Sequence, residues 1–376
     1  MQAVTWTLSI DGTLASEELL QAIRQIEVED HAGMADMLRL QLVIGVKDGC
    51  SGWSFIDEDL FSRLANLRIA VAVGSGRAET LINAYVIETN ASFANQPGAS
   101  VLNVVAMDPT VLMNLEERVK AWPNRADSDV AKSIFSSPEY RFTAVVDETK
   151  WRRQENDQTL IQRGTDIQFL QQLARRNGYE VYVETNGASG RIEGHFHAPR
   201  LKLPPQGVLS VNMRDATNVN SFNARFDMLR PTTAQATNLD VESREDQQSD
   251  ISASKLPTLG QQTALTQQRQ RRVLPSRTGL MRTGELQAYA QAVADQSALA
   301  ITAGGELNTV AYGRLMRAKR PIMVRGAGRQ FSGTYYVERV HHVLTNESYK
   351  QDFTLRRNAV GLSGSESFAA SDALSA

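Results

Sequence analysis

Two histidines, His195 and His197, stand two residues apart. On a strand this spacing places both imidazoles on one face, where they could ligate a metal ion. No third ligand lies near them in the sequence, and the single cysteine, Cys50, is remote, so a structural role is favoured over a metal site. His341 and His342 are adjacent and would face opposite sides of a strand, so they cannot chelate one ion together.

Two short glycine motifs could be mistaken for phosphate cradles. They are Gly74–Ser75–Gly76 and Gly326–Ala327–Gly328. Each lacks the third glycine and the following helix of a dinucleotide-binding fingerprint. Because each follows an alternating, strand-like run, we interpret both motifs as turns between strands.

The remaining polar clusters do not predict catalysis. The acids Glu116–Glu117 and Asp57–Asp59 lie near predicted helix ends, where carboxylates are favoured without any chemistry. No nucleophile-elbow or zinc-protease motif occurs, and no neighbouring residue supports Cys50 as a nucleophile. The run 269–272 is basic without interleaved aromatics, which indicates a solvated or partner-facing loop, with nucleic-acid binding as the alternative. The sequence thus predicts no catalytic, cofactor-binding or metal-binding residue and no enzyme activity.

Composition indicates a folded chain of two to three domains. It has 376 residues, of which 42% are hydrophobic and 22% charged. A single cysteine excludes an internal disulfide. The stretch Met1–Ile10 lacks the pattern of a signal peptide, and no run approaches the roughly 20 apolar residues of a membrane helix. We therefore expect assembly in a bacterial cytoplasm without a membrane anchor.

Charge divides the chain unevenly. Residues 1–110 carry 14 acidic and 6 basic side chains, whereas residues 314–357 carry 10 basic and 3 acidic ones. Such a division could bind nucleic acid, or it could let the two ends of identical subunits attract each other. The second interpretation is favoured because no aromatic-interleaved basic motif is present.

Hydrophobic periodicity predicts the elements that position these residues. The main predicted elements are a hairpin over 25–42, helices over Ile56–Leu67, Asp127–Phe135, Thr165–Asn177 and Glu285–Ala300, and strands over 69–73, 83–88, 101–105, 179–183, 191–196 and from 306 to 358. Asp127 or Ser128 should cap the second helix, and Gly178 should end the third. Gly304–Gly305 should stop the last helix.

The pattern over Ile69–Val105 returns, weakly, over Ile322–Leu355. A strand ends in a glycine turn, a tyrosine-containing strand follows, and a last alternating strand closes the pattern in both copies. The hairpin at 25–42 has a looser counterpart at 208–226. The predicted fold is therefore α+β and mainly antiparallel β, with two similar β-barrel-like domains flanking an α/β module.

The predicted boundaries follow from this duplication. They are a first β-barrel-like domain at 1–110, an α/β middle module at 111–205, a second β-barrel-like domain at 206–228 and 286–360, a long polar excursion at 229–285 and a flexible tail at 361–376.

Two segments carry a family resemblance. The first runs from Gln162 to Tyr179 and the second from Gly326 to His341, ending at Phe353 and Arg357–Asn358. Both are similar to the phage late control D family, the central baseplate hub proteins of contractile tails, and to the N-terminal hub part of type VI secretion spike proteins. The resemblance covers most of residues 1–360.

The resemblance implies a homotrimer whose two similar domains per chain adapt a sixfold tail tube to a threefold spike. Implied partners are further copies of the chain, the spike or needle protein, the tube or tube-initiator protein, and baseplate wedge and tape-measure proteins, with DNA only passing through the lumen. The implied location is the virion tail baseplate or an equivalent extracellular injection particle. No spike-like or lysozyme-like segment is evident, so both functions are expected in separate proteins. A tail-borne cell-wall hydrolase and an effector-carrying secreted spike component are the alternative functions.

Overall fold

The computed structural model describes residues 4–47, 52–74, 76–155, 159–187, 189–239, 246–264, 270–275 and 283–368. The first β unit begins the chain. Its elements are β1 (Val4–Ile10), β2 (Thr13–Leu14), α1 (Glu17–Ala22), β3 (Ile23–His31), β4 (Met37–Val43), β5 (Asn66–Val73), β6 (Glu79–Ser92) and β7 (Val101–Met107). Apart from the short β2, each strand sends alternate residues into one core, and β3 pairs with β4, which confirms the predicted hairpin.

The predicted helix over Ile56–Leu67 is wrong. Residues 54–58 form consecutive turns, and β5 begins at Asn66. Phe55, Asp59 and Leu64 have φ angles of 63°, 52° and 62°, which a right-handed helix does not allow. The apolar spacing that resembled a helix places Phe61 in the core from a turn.

The middle module follows. Its elements are a 3₁₀ helix (Pro109–Asn114), β8 (Glu117–Trp122), α2 (Asp127–Phe135), β9 (Thr143–Val146), β10 (Leu160–Thr165), α3 (Asp166–Asn177), β11 (Glu180–Thr185) and β12 (Ile192–His197). Both predicted helices are confirmed. Thr165 caps α3, and Gly178 ends it in the left-handed region. The cap expected for α2 is wrong, because Ala126 holds the cap position and Asp127 binds arginines instead.

The second β unit is interrupted by an inserted unit. In chain order the elements are β13 (Val208–Ser210), a 3₁₀ helix (Arg214–Ala216), β14 (Asn223–Phe226), β15 (Thr232–Leu239), β16 (Asp246–Ile251), β17 (Gln262–Thr263), β18 (Arg271–Val273), α4 (Thr283–Ala298), β19 (Ile301–Leu307), α5 (Thr309–Tyr312), β20 (Pro321–Arg325), α6 (Gly328–Phe331), β21 (Gly333–Thr345), β22 (Tyr349–Arg357) and β23 (Ala359–Val360). The inserted unit comprises β15, β16, β18 and α4. Its core joins Ala234, Ala236 and Ile251 of the sheet to the helix.

The inserted unit corrects two expectations. The described parts of the polar segment 229–285 contain strands that its weak periodicity did not predict. Gly304 and Gly305 lie within β19 and do not stop the preceding helix, which ends at Ala298. A Cβ on Gly305 would lie 2.0 Å from the Ser221 carbonyl oxygen, so this strand position requires glycine for close packing.

The two β units share one topology. In the first, the strand order is β3-β4-β7-β6-β5, and in the second it is β14-β19-β22-β21-β20. A β-bulge interrupts the long strand at the same place in each unit, between Val86 and Glu88 and between Val337 and Arg339. The counterpart of the hairpin 25–42 is therefore the β14–β19 pair, and the expected counterpart at 208–226 is wrong, because β13 pairs with β20.

Residues 361–368 are described, and the carbonyl oxygen of Phe368 accepts a hydrogen bond from Arg325. The rest of the predicted flexible tail, 369–376, lies outside the described residues. Across the described ranges, no helix has both the length and the apolar character needed to cross a membrane.

Candidate functional site at the seam between the β units

The two β units join edge to edge. The seam is the antiparallel pairing of residues 25–31 of β3 with residues 339–345 of β21. The long strand β21 therefore has two roles: its first half pairs with β20 of its own unit, and its second half pairs with the other unit. As a result both units belong to one sheet that continues from β14 to β2.

A buried ion cluster lies beside the seam. The Lys319 side chain is only 3% exposed, and its Nζ atom lies 2.7 Å from Asp30 Oδ1 and 2.8 Å from Asp36 Oδ2. Arg317 Nε lies 3.2 Å from Asp30 Oδ2. The acids come from the first unit and the cations from the second, so the cluster ties the two units together.

The cluster shifts the proton affinities of its members. Burial by itself would raise the pKa of Asp30, but the positive charges of Lys319 and Arg317 hold it well below its usual range. Burial raises the pKa of Asp36 to about 8 despite the nearby lysine. Both carboxylates accept hydrogen bonds from the Lys319 ammonium, Asp30 through one oxygen and Asp36 through two.

Partly exposed side chains extend the same polarity along the seam. Arg339 Nε lies 2.7 Å from Glu29 Oε1, and His341 Nε2 lies 3.8 Å from Glu27 Oε2. In each pair the acid belongs to the first unit and the base to the second. The unequal charge of the sequence is thus expressed as attraction across the contact between the units within one chain.

The middle module packs over the seam. The Tyr336 hydroxyl donates a hydrogen bond to Glu180 at 2.6 Å, and the Lys319 ammonium lies 5.1 Å from the centre of the Tyr182 ring. Asn83 of the first unit donates to Thr185 at 3.3 Å. Burial raises the pKa of Glu180 to about 7. The seam, the ion cluster and the module therefore form one connected structure.

The histidines lie close to this structure and show no metal-site geometry. His195 and His197 share a strand face, as predicted, and their Nδ1 and Nε2 atoms lie 3.2 Å apart, with Tyr182 stacked on His195. Burial lowers the pKa of His195 to about 3. In the described part of the chain, no three potential ligands form a group able to hold a metal ion. His342 is buried within the seam, and its Nδ1 atom shares a hydrogen bond with the Tyr349 hydroxyl at 2.7 Å.

Both glycine motifs lie in connections between paired strands. The first lies between β5 and β6, with Ser75 outside the described residues, and the second between β20 and β21. The short helix α6 begins at Gly328, which the turn interpretation did not include. Gly326 has a φ of 82°, and a Cβ there would lie 1.9 Å from the Val211 carbonyl oxygen, which explains the glycine by packing.

The other sequence candidates do not converge on a site. Asp57 accepts a hydrogen bond from the Trp53 backbone at 2.6 Å, and Glu116 contacts Arg118 at 2.9 Å. Arg272 lies 3.3 Å from Asp250 on the inserted unit. Cys50 and Arg269 lie outside the described residues. The paired acids are thus engaged locally and are not brought together.

The residues of the ion cluster were missed by sequence reasoning. Lys319 lies nearly 300 positions after Asp30 and Asp36, and none of the three belongs to a recognisable motif. The one available signal was the opposite charge of the segments that contain them.

Comparisons with known proteins identify the fold. A family model described as the Alg8 N-terminal domain matches residues 1–346. No curated protein sequence shows a significant match. A tail protein from Neisseria meningitidis MC58 superposes with a TM-score of 0.66 at 12% identity, covering 96% of this chain and 98% of that one. The 43 kDa tail protein of prophage MuSo2 from Shewanella oneidensis superposes with a TM-score of 0.63 at 14% identity, covering 94% and 98%.

A component of the E. coli type VI secretion system also shares the fold. Its TM-score is 0.58 at 11% identity, and the match covers 96% of this chain and 79% of that one. These likenesses confirm the mainly antiparallel β fold and its similarity to phage tail proteins. The matching family model is not that of the late control D family, so membership of that family stays a prediction.

Proposed function

The chain belongs to the family described as the Alg8 N-terminal domain and folds like phage tail proteins, and we propose that it is a structural, non-enzymatic hub in the baseplate of a contractile phage tail or phage-like injection device. In this proposal it acts as a homotrimer that adapts a sixfold tail tube to a threefold spike. Its place is the virion baseplate or an equivalent extracellular particle.

The seam is the observation that carries the proposal. It joins two units of equal topology side by side, so that one chain is an arc of two similar parts. Three such chains would offer six similar parts to a sixfold partner while keeping threefold symmetry for another. A symmetry adaptor needs this combination, and an enzyme does not.

The charges along the seam support alternation of the units around a ring. Within the chain, acids of the first unit face bases of the second, as in the Asp30–Lys319 and Glu29–Arg339 pairs. In a ring of alternating units, every contact would bring an acidic unit against a basic one. The proposed partners beyond the chain itself are the tube or tube-initiator protein on one side and the spike protein on the other, with wedge and tape-measure proteins around them.

Mass photometry of the purified chain, alone and with a spike protein encoded beside it, tests the proposal. We expect a species of about 125 kDa, three times the 41.5 kDa of one chain. The trimer should weaken between low and high salt, because the proposed contacts include exposed charges. A monomer under all these conditions would count against the hub, and clearing of a peptidoglycan gel by the purified protein would contradict the non-enzymatic role.

A further inference from the structure

At the seam, one edge of each β unit is paired with the other unit. The equivalent edge of the opposite unit is unpaired in both cases within the described residues. Strand β3 pairs with β4 on one side and with β21 on the other. Its equivalent in the second unit, β14, pairs only with β19 within the described residues. The second half of β21 has its equivalent in residues 88–92 of β6, which pair with β7 and with no strand on the opposite side in the described structure.

The registers define which residues correspond. Glu29 and Arg225 are equivalent because each lies opposite the same position of the next strand, Met37 in one unit and Thr302 in the other. The two bulges make Glu88 equivalent to Arg339. The long strands therefore correspond as Tyr85 with Tyr336 and Val86 with Val337.

We propose that β14 of one copy pairs antiparallel with residues 88–92 of β6 in the next copy, which repeats the seam between chains. The inference rests on the proposed trimeric hub, since it describes the contact that would close the ring. Repeating a heterologous contact of this kind gives a closed ring when the rotation closes, and an open edge strand is otherwise a liability.

At the open edges the long strand carries the acid and the edge strand carries the base, which is the opposite of the arrangement at the seam. The two open edges are therefore still complementary in charge. Within the chain, Arg339 of the long strand pairs with Glu29. At the equivalent positions the long strand carries Glu88, and the edge strand carries Arg225. Both side chains are exposed, and neither forms an ion pair in the described part of the chain. A cation and an anion have exchanged places, so the intermolecular contact would also be attractive.

Apolar side chains support the same contact. Phe93 and Met228 are 59% and 60% exposed, although both are large and apolar. Their equivalents at the seam are Leu344 and Ala32, which are 2% and 4% exposed. The neighbouring Ile87 is also exposed, and the backbone of its equivalent Glu338 accepts a hydrogen bond from Ala32 at 2.8 Å. A second copy would bury Phe93, Met228 and Ile87, just as the seam buries their equivalents within one chain.

A charge-exchange experiment tests the contact in the full chain. Glu88→Arg and Arg225→Glu, made singly, should each raise the concentration at which the trimer dissociates by about tenfold or more, whereas the double exchange should restore it. Arg191→Glu, an exposed change on the middle module, is the matched control and should leave assembly unchanged. If wild type, both single variants and the double variant formed equally stable trimers, the strand contact would be overturned while the hub proposal would stand.

Disulfide cross-linking tests the register. In a Cys50→Ser background, Ala91→Cys with Ala224→Cys places thiols at the equivalents of the directly paired His342 and Val28. Oxidation should give covalently linked dimers and trimers on a non-reducing gel. The pair Ala91→Cys with Arg225→Cys is shifted by one residue, and its thiols should face opposite sides and remain unlinked. Linking in the shifted pair, or none in the first pair of a protein that still forms trimers, would refute the proposed register.

Discussion

Leu64 and Lys319 occupy equivalent backbone positions in the two β units. Their φ angles are 62° and 65°, and each backbone N–H donates to the carbonyl oxygen of the valine before the bulge, Val86 or Val337, at 2.9 Å. The side chains differ completely. The first unit has an apolar residue here, and the second has the buried cation that binds Asp30 and Asp36. A shared backbone therefore carries a residue specific to the seam.

Replacing Lys319 with Met should strongly destabilise the chain. The change keeps the length of the side chain but leaves Asp30 and Asp36 buried without their cation, and breaking such a cluster costs about 3–5 kcal/mol. Urea unfolding of Lys319→Met against wild type measures the loss. Adding Asp30→Asn should recover part of it, and a loss below about 1 kcal/mol would contradict the role given to the cluster.

Glu180 should make stability depend on pH. Burial raises its folded-state pKa to about 7, above the unfolded value near 4.3, so the folded protein holds the proton more tightly. Its contribution is complete below about pH 4.3 and is lost as pH rises towards 7. Glu180→Gln should remove this slope while keeping an acceptor for Tyr336. Melting temperatures from pH 4.5 to 7.5 would show it, and parallel profiles for the two proteins would refute the prediction.

Gly326→Ala should cost more stability than Gly328→Ala. Both glycines have positive φ, 82° and 73°, so each change pays a backbone strain of about 1–2 kcal/mol. A methyl group at Gly326 would also meet the Val211 carbonyl oxygen, whereas nothing lies within 4 Å of one at Gly328. Thermal unfolding of both variants isolates the steric part, and equal losses would show that the turn relaxes freely.

Arg153 should link the middle module to the inserted unit. Its side chain is 3% exposed and contacts Asp127, at 2.8 Å, and Glu285 of α4. Arg153→Ala should lose stability at the lower end of about 3–5 kcal/mol, because two buried carboxylates lose one partner while Arg176 still contacts both. The adjacent Arg152 is 58% exposed and pairs with Asp129, so Arg152→Ala should lose less than about 1 kcal/mol. Limited proteolysis should cut near 283 sooner in the first variant alone.

The sequence predicts the topology better than the details because periodicity reports which face is buried. It predicted the duplication and both middle-module helices, whose apolar faces are local, although it misplaced the cap of α2. It failed at 56–67, where apolar spacing matched a helix but Asp59 and Leu64 adopt the left-handed conformation. It predicted the helix of the inserted unit but not its strands, where small side chains such as Ala234 and Ala236 give little alternation.

The candidate site was harder to predict than the fold. Lys319 stands in a basic stretch that is typical of a solvated surface, yet it is buried by residues nearly 300 positions away. Only the pairing of β21 with β3 brings those residues together, and no local pattern encodes that register. The charge imbalance indicated attraction between the units, and the structure supplied the atoms that achieve it.

The β-bulge shared by the two long strands also has a mechanical meaning. Beyond the bulge, residues 339–345 of β21 run alongside residues 25–31, so the units are joined by seven residue pairs side by side and not by a flexible tether. A pull along the strands would load these pairs in shear, and they would have to yield together. Force applied to one unit should therefore be transmitted directly to the other, with no flexible segment to extend first.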